Sequence, residues 1–271
     1  MSIIHLPLVT YQRPAPALGV ETIAPAAQVE RIKALHPAYV RWNGVRWPDQ
    51  LGHEHLAALD AMPTRAIVVV QANGFVPDIT GQREIAGLIT GLAKQYPNIY
   101  AWELWNEPDA ATFRSSVFLG GGWEGKATQY ATFLTLVKRA NPDIRILSGG
   151  LAEVGAWAFE MLSCEPECDG ISFHHYTRYP WANTWALETK VHGLRALTDK
   201  PLYLTETSLL CADDTPPDDF DGAKAEYLWK VYEAARDLSL TSAIWYTVGG
   251  NGWEHSDLEG ESLTLFKDLT D

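Results

Sequence analysis

The sequence predicts an α/β protein built as a single (β/α)8 TIM barrel, and three observations support this fold class. Short apolar runs rich in strand-forming residues alternate with longer segments of helical apolar spacing, which indicates parallel strands joined by helical crossovers. Eight such runs fit within 271 residues, enough for a barrel without a second domain. No glycine-rich phosphate turn follows the first run, whereas a doubly wound sheet normally carries one there. We therefore expect residues 16–271 to form one barrel domain, preceded by residues 1–15 as an extension or linker remnant.

The eight candidate strands are short runs dominated by β-branched, aromatic and other apolar residues. In chain order they are ALGVETI (17–23), AYVRW (38–42), RAIVVVQA (65–72), IYAWELWN (99–106), IRILSGG (144–150), GISFHHY (170–176), PLYLTET (201–207) and SAIWYTV (242–248).

The segments between these strands have apolar residues at i, i+3, i+4 and i+7, the spacing of a helix with one face on a core. The clearest examples are AAQVERIKALH (26–36), EHLAALDAM (54–62), EIAGLITGLAKQY (84–96), ATFLTLVKRA (131–140), WALETKVHGLRALT (185–198) and AKAEYLWKVYEAARDL (223–238). We expect seven clear helices in all, which completes the alternation.

The acidic balance of the chain limits its partners. A net charge of -13 and a pI near 5.0 repel phosphate backbones, and no run of Lys and Arg offsets this field. Nucleic acid is therefore not expected, and polyanionic substrates are disfavoured unless the basic residues near Arg41 and Arg46 override the global sign locally. A neutral ligand fits better, and we expect a monomer.

The sequence leaves the cellular compartment open. No run of about 18 apolar residues is present, so no membrane partner is expected. The opening MSIIHLPLVTYQRPAP lacks the basic start, long apolar run and small-residue cleavage site of a signal peptide. A cytoplasmic protein and a secreted protein whose signal has been removed both fit these features.

The three cysteines give a weak signal. Cys164 and Cys168 lie in SCEPECDG, and Cys211 stands alone. A local disulfide or half of a metal site is one interpretation of the first two. Free thiols or a loop staple is the interpretation that we favour, because no second Cys/His pair lies at zinc spacing.

Polar residues close most of the candidate strands. In a barrel of this type the loops that follow the strands build the active site, so these residues are expected to converge on one mouth. In order they are Glu21, Arg41, Gln71, Asn73, Asn106, Glu107, His174, His175, Tyr176, Glu206, Trp245 and Tyr246.

Two glutamates in this set could carry out glycosidic hydrolysis, which needs one carboxyl group to protonate the leaving oxygen and another as nucleophile or base. Glu107 follows the fourth strand in WELWNEPD, and Glu206 closes the seventh in PLYLTETS. Either glutamate alone would ordinarily be a solvated loop charge. Their position directly after apolar strands favours a catalytic role, and Asn106 is suited to hydrogen-bond a sugar 2-OH.

The motifs WNEP (105–108) and TET (205–207) closely resemble glycoside hydrolase clan A. Arg41 in YVRW resembles the second-strand Arg of that clan, His174 and Tyr176 resemble its sixth-strand His-x-Tyr, and Trp245 resembles its eighth-strand Trp. The resemblance spans nearly the whole chain. It implies a (β/α)8 catalytic domain with Glu107 as acid/base and Glu206 as nucleophile, and no cofactor.

Physical chemistry suggests roles for the residues around these glutamates. Arg41 and Tyr176 are expected to hydrogen-bond Glu206, and the nearby charge of Glu206 together with aromatic surface is expected to raise the pKa of Glu107. Of His174 and His175, only one can face the mouth, because neighbouring strand residues point to opposite faces. His174 is expected there, in a supporting or sugar-binding role rather than as a metal ligand.

Eleven tryptophans are many for this length, and several fall at strand ends or in loops. Indole rings stack on the C–H faces of sugars, although core packing is the ordinary alternative. The residues expected to bind substrate are Arg41, Asn73, Asn106, His174, Tyr176, Trp47, Trp181, Trp245 and Trp253. No metal ligand set is expected.

The sequence therefore predicts a retaining hydrolase of β-glycosidic bonds, acting internally on a neutral polysaccharide or oligosaccharide. An exo-acting β-glycosidase is the nearest alternative. A metal-dependent sugar isomerase and a non-catalytic carbohydrate-binding barrel are alternatives from other classes. Retention predicts that the carboxyl groups of Glu107 and Glu206 lie about 5 to 5.5 Å apart, whereas about 6.5 to 9.5 Å would indicate inversion.

Overall fold

The computed structural model describes residues 17–72, 75–110, 122–213, 215–248 and 255–271. The expected N-terminal extension, residues 1–15, lies outside this part of the chain. Within it, no helix is long and apolar enough to cross a membrane.

Eight strands form one parallel sheet that curves into a barrel, as the sequence predicts. The strands are β1 (Ala17–Glu21), β2 (Tyr39–Trp47), β3 (Arg65–Ala72), β4 (Ile99–Leu104), β5 (Ile146–Leu147), β6 (Ile171–Arg178), β7 (Leu202–Leu210) and β8 (Ser242–Trp245). Their order in the sheet is β5-β4-β3-β2-β1-β8-β7-β6. Isolated parallel bridges from Leu147 to Gly170 and from Leu151 to Phe173 join the two ends and close the barrel.

In the described part of the chain, eight helices surround the barrel. They are α1 (Pro25–Lys33), α2 (His53–Asp60), α3 (Ile79–Gln95), α4 (Ala127–Ala140), α5 (Ala156–Ser163), α6 (Trp185–Arg195), α7 (Phe220–Asp237) and α8 (Gly260–Thr270). The segments singled out in the sequence correspond to six of them and omit α5 and α8. The α5 segment, AWAFEMLS, is short and largely apolar, so it shows no contrast between a core face and a solvent face.

Most strands differ from the predicted runs by a few residues at their ends, and two differ most in length. β2 was expected to end at residue 42 but continues to Trp47, with an irregular register between Trp42 and Val45. β5 was expected over 144–150 but pairs regularly only at Ile146 and Leu147.

Local signals in the sequence explain where several helices begin. The side chain of Asp78 accepts a hydrogen bond from the Gly81 N–H at 2.9 Å and caps α3. Glu259 and Ser262 form a capping box at the start of α8. Pro25 occupies the first turn of α1, where its missing N–H costs nothing.

The apolar core has two parts, because strand residues alternate between the outside and the inside of the barrel. The larger part lies between the outer face of the strands and the helices. The smaller part fills the lower interior of the barrel with Tyr39, Ile67, Ala101, Leu147, Tyr203 and Ile244. The three cysteines carry free thiols, as we expected.

Candidate active site

A layer of polar and charged side chains lies inside the barrel, above the apolar interior cluster. On β2, β3 and β4 the alternation of interior positions continues from Tyr39, Ile67 and Ala101 to the polar members of this layer. On β7 a register shift against β6 lies between Tyr203 and Glu206. The buried members are Glu21, Arg41, Gln71, Glu103, His174 and Glu206. Because parallel strands all end on one side, this layer lies at the carboxyl-terminal mouth.

Arg41 is the centre of this layer, and its guanidinium is fully buried. Nη1 donates to Glu21 Oε2 at 2.7 Å and to Glu206 Oε1. Nε and Nη2 both donate to Glu103 Oε1, at 3.2 and 2.6 Å. Nη2 also donates to Asn106 Oδ1 at 2.9 Å. All five N–H groups of the guanidinium therefore donate hydrogen bonds, which fixes the orientation of the Arg41 side chain.

Glu206 accepts hydrogen bonds from Arg41 and Tyr176, and His174 on the neighbouring strand lies close to it. The register of β6 and β7 pairs His174 with Glu206. Tyr176 donates to Glu206 Oε2 at 2.5 Å, and His174 Nδ1 lies 3.3 Å from the same oxygen. Together with Arg41 on Oε1, these contacts orient both oxygens of an almost fully buried carboxylate.

Glu107 is held by an unusual backbone rather than by the strand itself. β4 ends at Leu104, and Trp105 and Glu107 both adopt positive φ, 83° and 47°. Such angles cost about 1 kcal/mol each for residues with a side chain and cluster at functional sites. The Glu107 N–H donates to Gly150 O at 2.9 Å, which anchors this turn to the segment after β5.

The side chain of Glu107 lies in an environment that favours its neutral form. Burial raises the pKa of this carboxyl, while the charges of Arg41 and Lys190 act in the opposite direction. The direction agrees with the sequence prediction, but the cause is removal from water and not repulsion by Glu206. A carboxylic acid that keeps its proton above the ordinary range is suited to general acid catalysis.

His174 connects the two glutamates. Its Nδ1 lies 3.0 Å from Glu107 Oε1 and 3.3 Å from Glu206 Oε2. Burial lowers the pKa of His174 to about 4, so the ring is neutral near pH 7. With two carboxyl groups facing Nδ1, the proton of the neutral ring belongs on that nitrogen.

The spacing of these three side chains is short. One carboxyl oxygen of Glu107, one of Glu206 and one ring nitrogen of His174 all lie within 4.8 Å of one another. His174 and Glu206 lie on the neighbouring strands β6 and β7 at one end of the sheet order, whereas Glu107 follows β4 near the other end. The approach of Glu107 to the other two therefore depends on closure of the sheet.

Gly150 makes the position of the His174 ring possible. A Cβ at residue 150 would lie 2.1 Å from His174 Nε2, well inside van der Waals contact. His174 Nε2 is buried and has no hydrogen-bond partner among the described residues. The ring is therefore placed by its Nδ1 contacts and by the surface of Gly150.

His175 points to the opposite face of β6, as strand alternation requires. It is buried, and burial followed by the charge of Lys190 lowers its pKa to about 4. His175 Nε2 has no hydrogen-bond partner in the described part of the chain. This histidine belongs to the packing between barrel and helices, not to the mouth.

The tryptophans assigned to substrate binding occupy different places. Trp245 is 1% exposed, packs on Tyr227, and donates its indole N–H to Ser256 O at 2.8 Å. The expectation that it lines the mouth is wrong, because β8 turns Trp245 outward into the main core. Tyr246, the next residue, lies against Tyr176 with ring centroids 6.1 Å apart.

Two further tryptophans lie on the side of the mouth. Trp47 is half-buried at the end of β2 and packs against Phe75. Trp181 follows β6 and is 68% exposed. Asn73 and Trp253, the other expected ligands from loops, lie outside the described residues.

Asp109, Lys190 and Glu103 belong to this region but were not identified from the sequence. Asp109 accepts the N–H groups of Ala152 and Glu153 at 2.9 and 2.8 Å. Lys190 donates to the carbonyl oxygens of Ala152 and His174 at 2.7 and 2.9 Å. These contacts tie the Glu107 loop to the segment after β5 and to β6. Two features of the sequence could have pointed to these residues. Asp109 is a charged residue two positions after Glu107, and Glu103 is a carboxylate inside an apolar strand.

No family model matches the chain, and no curated protein matches its sequence. Solved structures match its fold. The chain aligns over 95% of its length with 71% of a GH39 β-xylosidase from Caulobacter crescentus, at 17% identity and a TM-score of 0.63. It aligns over 94% of its length with 99% of an endo-1,4-β-D-mannanase from Thermotoga petrophila RKU-1, at 12% identity and a TM-score of 0.61.

A larger protein shares the same fold in part. The chain aligns over 94% of its length with 44% of an FMN-binding β-glucuronidase from Facaelibacterium prausnitzii L2-6, at 15% identity and a TM-score of 0.62. The chain thus spans less than half of that protein. At identities this low the likenesses show the fold, and they confirm the (β/α)8 barrel that the resemblance to clan A implied.

Proposed function

We propose that the protein is a retaining glycoside hydrolase that cleaves β-glycosidic bonds, with residues 16–271 as its catalytic domain. The observation that carries the proposal is the cluster of Glu107, His174 and Glu206 at the barrel mouth, within 4.8 Å of one another. Oxygens of the two carboxyl groups this close to one another agree better with the separation of about 5 to 5.5 Å in retaining enzymes than with about 6.5 to 9.5 Å in inverting ones, which supports double displacement.

Glu206 is the nucleophile in this proposal. Its contacts with Arg41 and Tyr176 stabilise the carboxylate and aim it at a sugar in the mouth. In the first step a Glu206 oxygen bonds to the anomeric carbon, the bond from that carbon to the leaving oxygen breaks, and the Glu107 proton passes to that oxygen.

Glu107 is the general acid and then the general base. Burial raises its pKa and so favours the protonated form in the free enzyme, and the first step leaves it ionised. In the second step it takes a proton from water, whose oxygen attacks the anomeric carbon and releases Glu206 as carboxylate. Because the pKa of Glu107 is raised, activity on unactivated substrates is retained as pH rises above the ordinary carboxyl range and is lost as pH passes that raised pKa.

A neutral β-linked polysaccharide or oligosaccharide is the proposed substrate, cut internally. The charge of -13 disfavours anionic polymers, and the exposed ring of Trp181 is available to stack on a sugar. The side-chain oxygen of Asn106 accepts a hydrogen bond from Arg41. The NH2 group of Asn106 therefore points away from Arg41, and we propose that it donates to the 2-OH of the sugar. The β-xylosidase and the endo-mannanase of the same fold act on β-glycosides, which supports the substrate class.

The test begins with a screen of neutral polysaccharides and aryl β-glycosides, with analysis of product length and anomeric configuration. With an active substrate in hand, we expect Glu206→Ala to remove nearly all turnover and azide to restore it with an α-glycosyl azide as product. Glu107→Ala with azide should give the β product. Glu226→Ala, at an exposed position on α7, is the matched control and should keep the wild-type rate. Wild-type rates in both catalytic variants would refute the assignment.

A metal-dependent sugar isomerase is the second candidate, since the Glu107, His174 and Glu206 cluster also offers three potential ligand atoms. The neutral carbohydrate substrate would be shared, but the chemistry would need a divalent cation. Dialysis against a chelator separates the two. Glycosidase activity that survives chelation supports the hydrolase, whereas isomerase activity that is lost and then restored by a divalent ion supports the alternative.

A further inference from the structure

Glu21 at the end of β1 has no assigned role, although it lies within the same buried layer as Glu206. Its Oε2 accepts from Arg41 Nη1 at 2.7 Å, and Glu206 Oε1 accepts from the same nitrogen. An Nη1 nitrogen has two N–H bonds, so each carboxyl group takes one. The hydrogen bond from Nη1 to Glu21 therefore helps to fix the direction of the hydrogen bond from Nη1 to Glu206.

The remaining N–H groups of Arg41 are already used. Nε and one Nη2 bond go to Glu103, and the other Nη2 bond goes to Asn106. Loss of the Glu103 contact would leave the far side of the guanidinium unsupported, but loss of the Glu21 contact would free the bond next to Glu206. Glu21 is thus the acceptor whose removal acts most directly on the nucleophile.

The geometry points to Glu21 as a positioning residue that acts on Glu206 through Arg41. This inference rests on the proposed function, because it assigns Glu21 to the reaction at Glu206. Glu21 is 3% exposed beneath the guanidinium, so its effect is on the orientation of Glu206 and not on sugar binding. When Glu206 becomes a glycosyl ester, Glu21 continues to hold Nη1, and the guanidinium is in place when the carboxylate is released.

The acceptor atom, rather than a negative charge, is the feature that this role needs. Burial raises the pKa of Glu21 well above its ordinary value, Arg41 opposes this, and the charges of Glu206 and Glu103 add to it. A protonated carboxyl group still accepts through its carbonyl oxygen. The titratable groups that face Glu21 from the surrounding strands are Arg41, Arg46, Glu103, Tyr176, Glu206 and Tyr246.

Two substitutions separate the acceptor from the rest of the side chain. Glu21→Gln keeps an oxygen that can accept from Nη1, and Glu21→Leu removes it at similar size. In both variants Glu103 and Glu206 still pair with the guanidinium, so Arg41 is not left as an uncompensated buried charge. Glu21→Leu leaves one buried N–H of Arg41 without an acceptor, so a modest loss of stability is expected in that variant and none in Glu21→Gln. Glu30→Leu, at an exposed site on α1, is the control.

The measurements are kcat and KM on the best aryl β-glycoside of the screen, the rate of labelling of Glu206 by its 2-deoxy-2-fluoro analogue, and the thermal midpoint. Glu21→Leu should lower kcat and the labelling rate about 100-fold with KM nearly unchanged, as expected for a misdirected reacting group. Glu21→Gln should recover activity to within about threefold of wild type and keep the wild-type thermal midpoint. Glu21→Leu should show only a small fall in thermal midpoint, from the unpaired N–H of Arg41.

Three results would overturn the inference. They are a wild-type rate in Glu21→Leu, a Glu21→Gln variant as slow as Glu21→Leu, and a loss of kcat that accompanies a large fall in thermal midpoint in both variants. Failure of the proposed function is distinguishable, because the wild-type protein would then hydrolyse no β-glycoside or Glu206→Ala would keep its rate. In that case the inference about Glu21 falls with it.

Discussion

Replacement of His175 should make the protein more resistant to acid. The ring is buried, and its pKa falls from the ordinary 6.5 to about 4 in the folded protein. A base with a depressed folded pKa contributes stability that is present above the unfolded pKa and is lost as pH falls towards the folded value. At about 1.36 kcal/mol per pKa unit, the full loss is about 3 kcal/mol, of which about 2 kcal/mol falls between pH 7 and pH 5.

His175→Gln removes the titrating group and keeps a neutral polar side chain at the site. The free energy of unfolding is measured by urea denaturation at pH 7 and pH 5. Wild type should lose about 2 kcal/mol more than the variant over this range. Glu21, Glu107 and Asp109, whose pKa values are raised, act in the opposite direction, but they are common to both proteins and cancel in the difference.

His192→Gln, at an exposed position on α6, is the control and should behave as wild type. If His175→Gln loses as much stability as wild type between pH 7 and pH 5, the burial argument is wrong.

Three further substitutions test the site and the core. Gly150→Ala should lower kcat about 100-fold, because the added Cβ displaces the His174 ring. Gly155→Ala is the control and should leave kcat unchanged, because a Cβ added there meets nothing within 4 Å. Equal rates in the two variants would contradict the steric argument. Trp245→Ala should cost about 3 to 5 kcal/mol of unfolding free energy as a core truncation. Trp181→Ala should leave stability within about 0.5 kcal/mol and raise KM for the polysaccharide but not for the aryl glycoside, and an unchanged polysaccharide KM would exclude a role in binding.

The sequence was sufficient to predict the barrel and the convergence of its charged strand ends. Alternating strand and helix patterns specify parallel pairing, and parallel pairing places all carboxyl ends of strands together. Arg41, Glu107, His174, Tyr176 and Glu206 therefore could be grouped without knowledge of any distance. The structure brings these five side chains into contact through direct or shared hydrogen bonds.

Which side chains of a strand face the barrel interior was harder to predict. Barrel strands are apolar on both faces, so an alternating pattern does not say whether Trp245 or Tyr246 points inward. The same ambiguity concealed Glu103, which sits between Trp102 and Leu104 on β4. The cause of the raised pKa of Glu107 was also out of reach, because it depends on burial that only the packed loop creates.

Gly150 has a consequence for how this site can change over evolutionary time. The His174 ring occupies the space that any side chain at residue 150 would fill, so the two positions cannot diverge independently. A lineage that retains His174 must retain glycine opposite it, while a lineage that first replaces His174 by a smaller residue gains freedom at residue 150. Reversal is then blocked until the larger side chain at 150 is lost again. The order of substitutions, and not their individual chemistry, would decide which descendants of this barrel can recover the original arrangement.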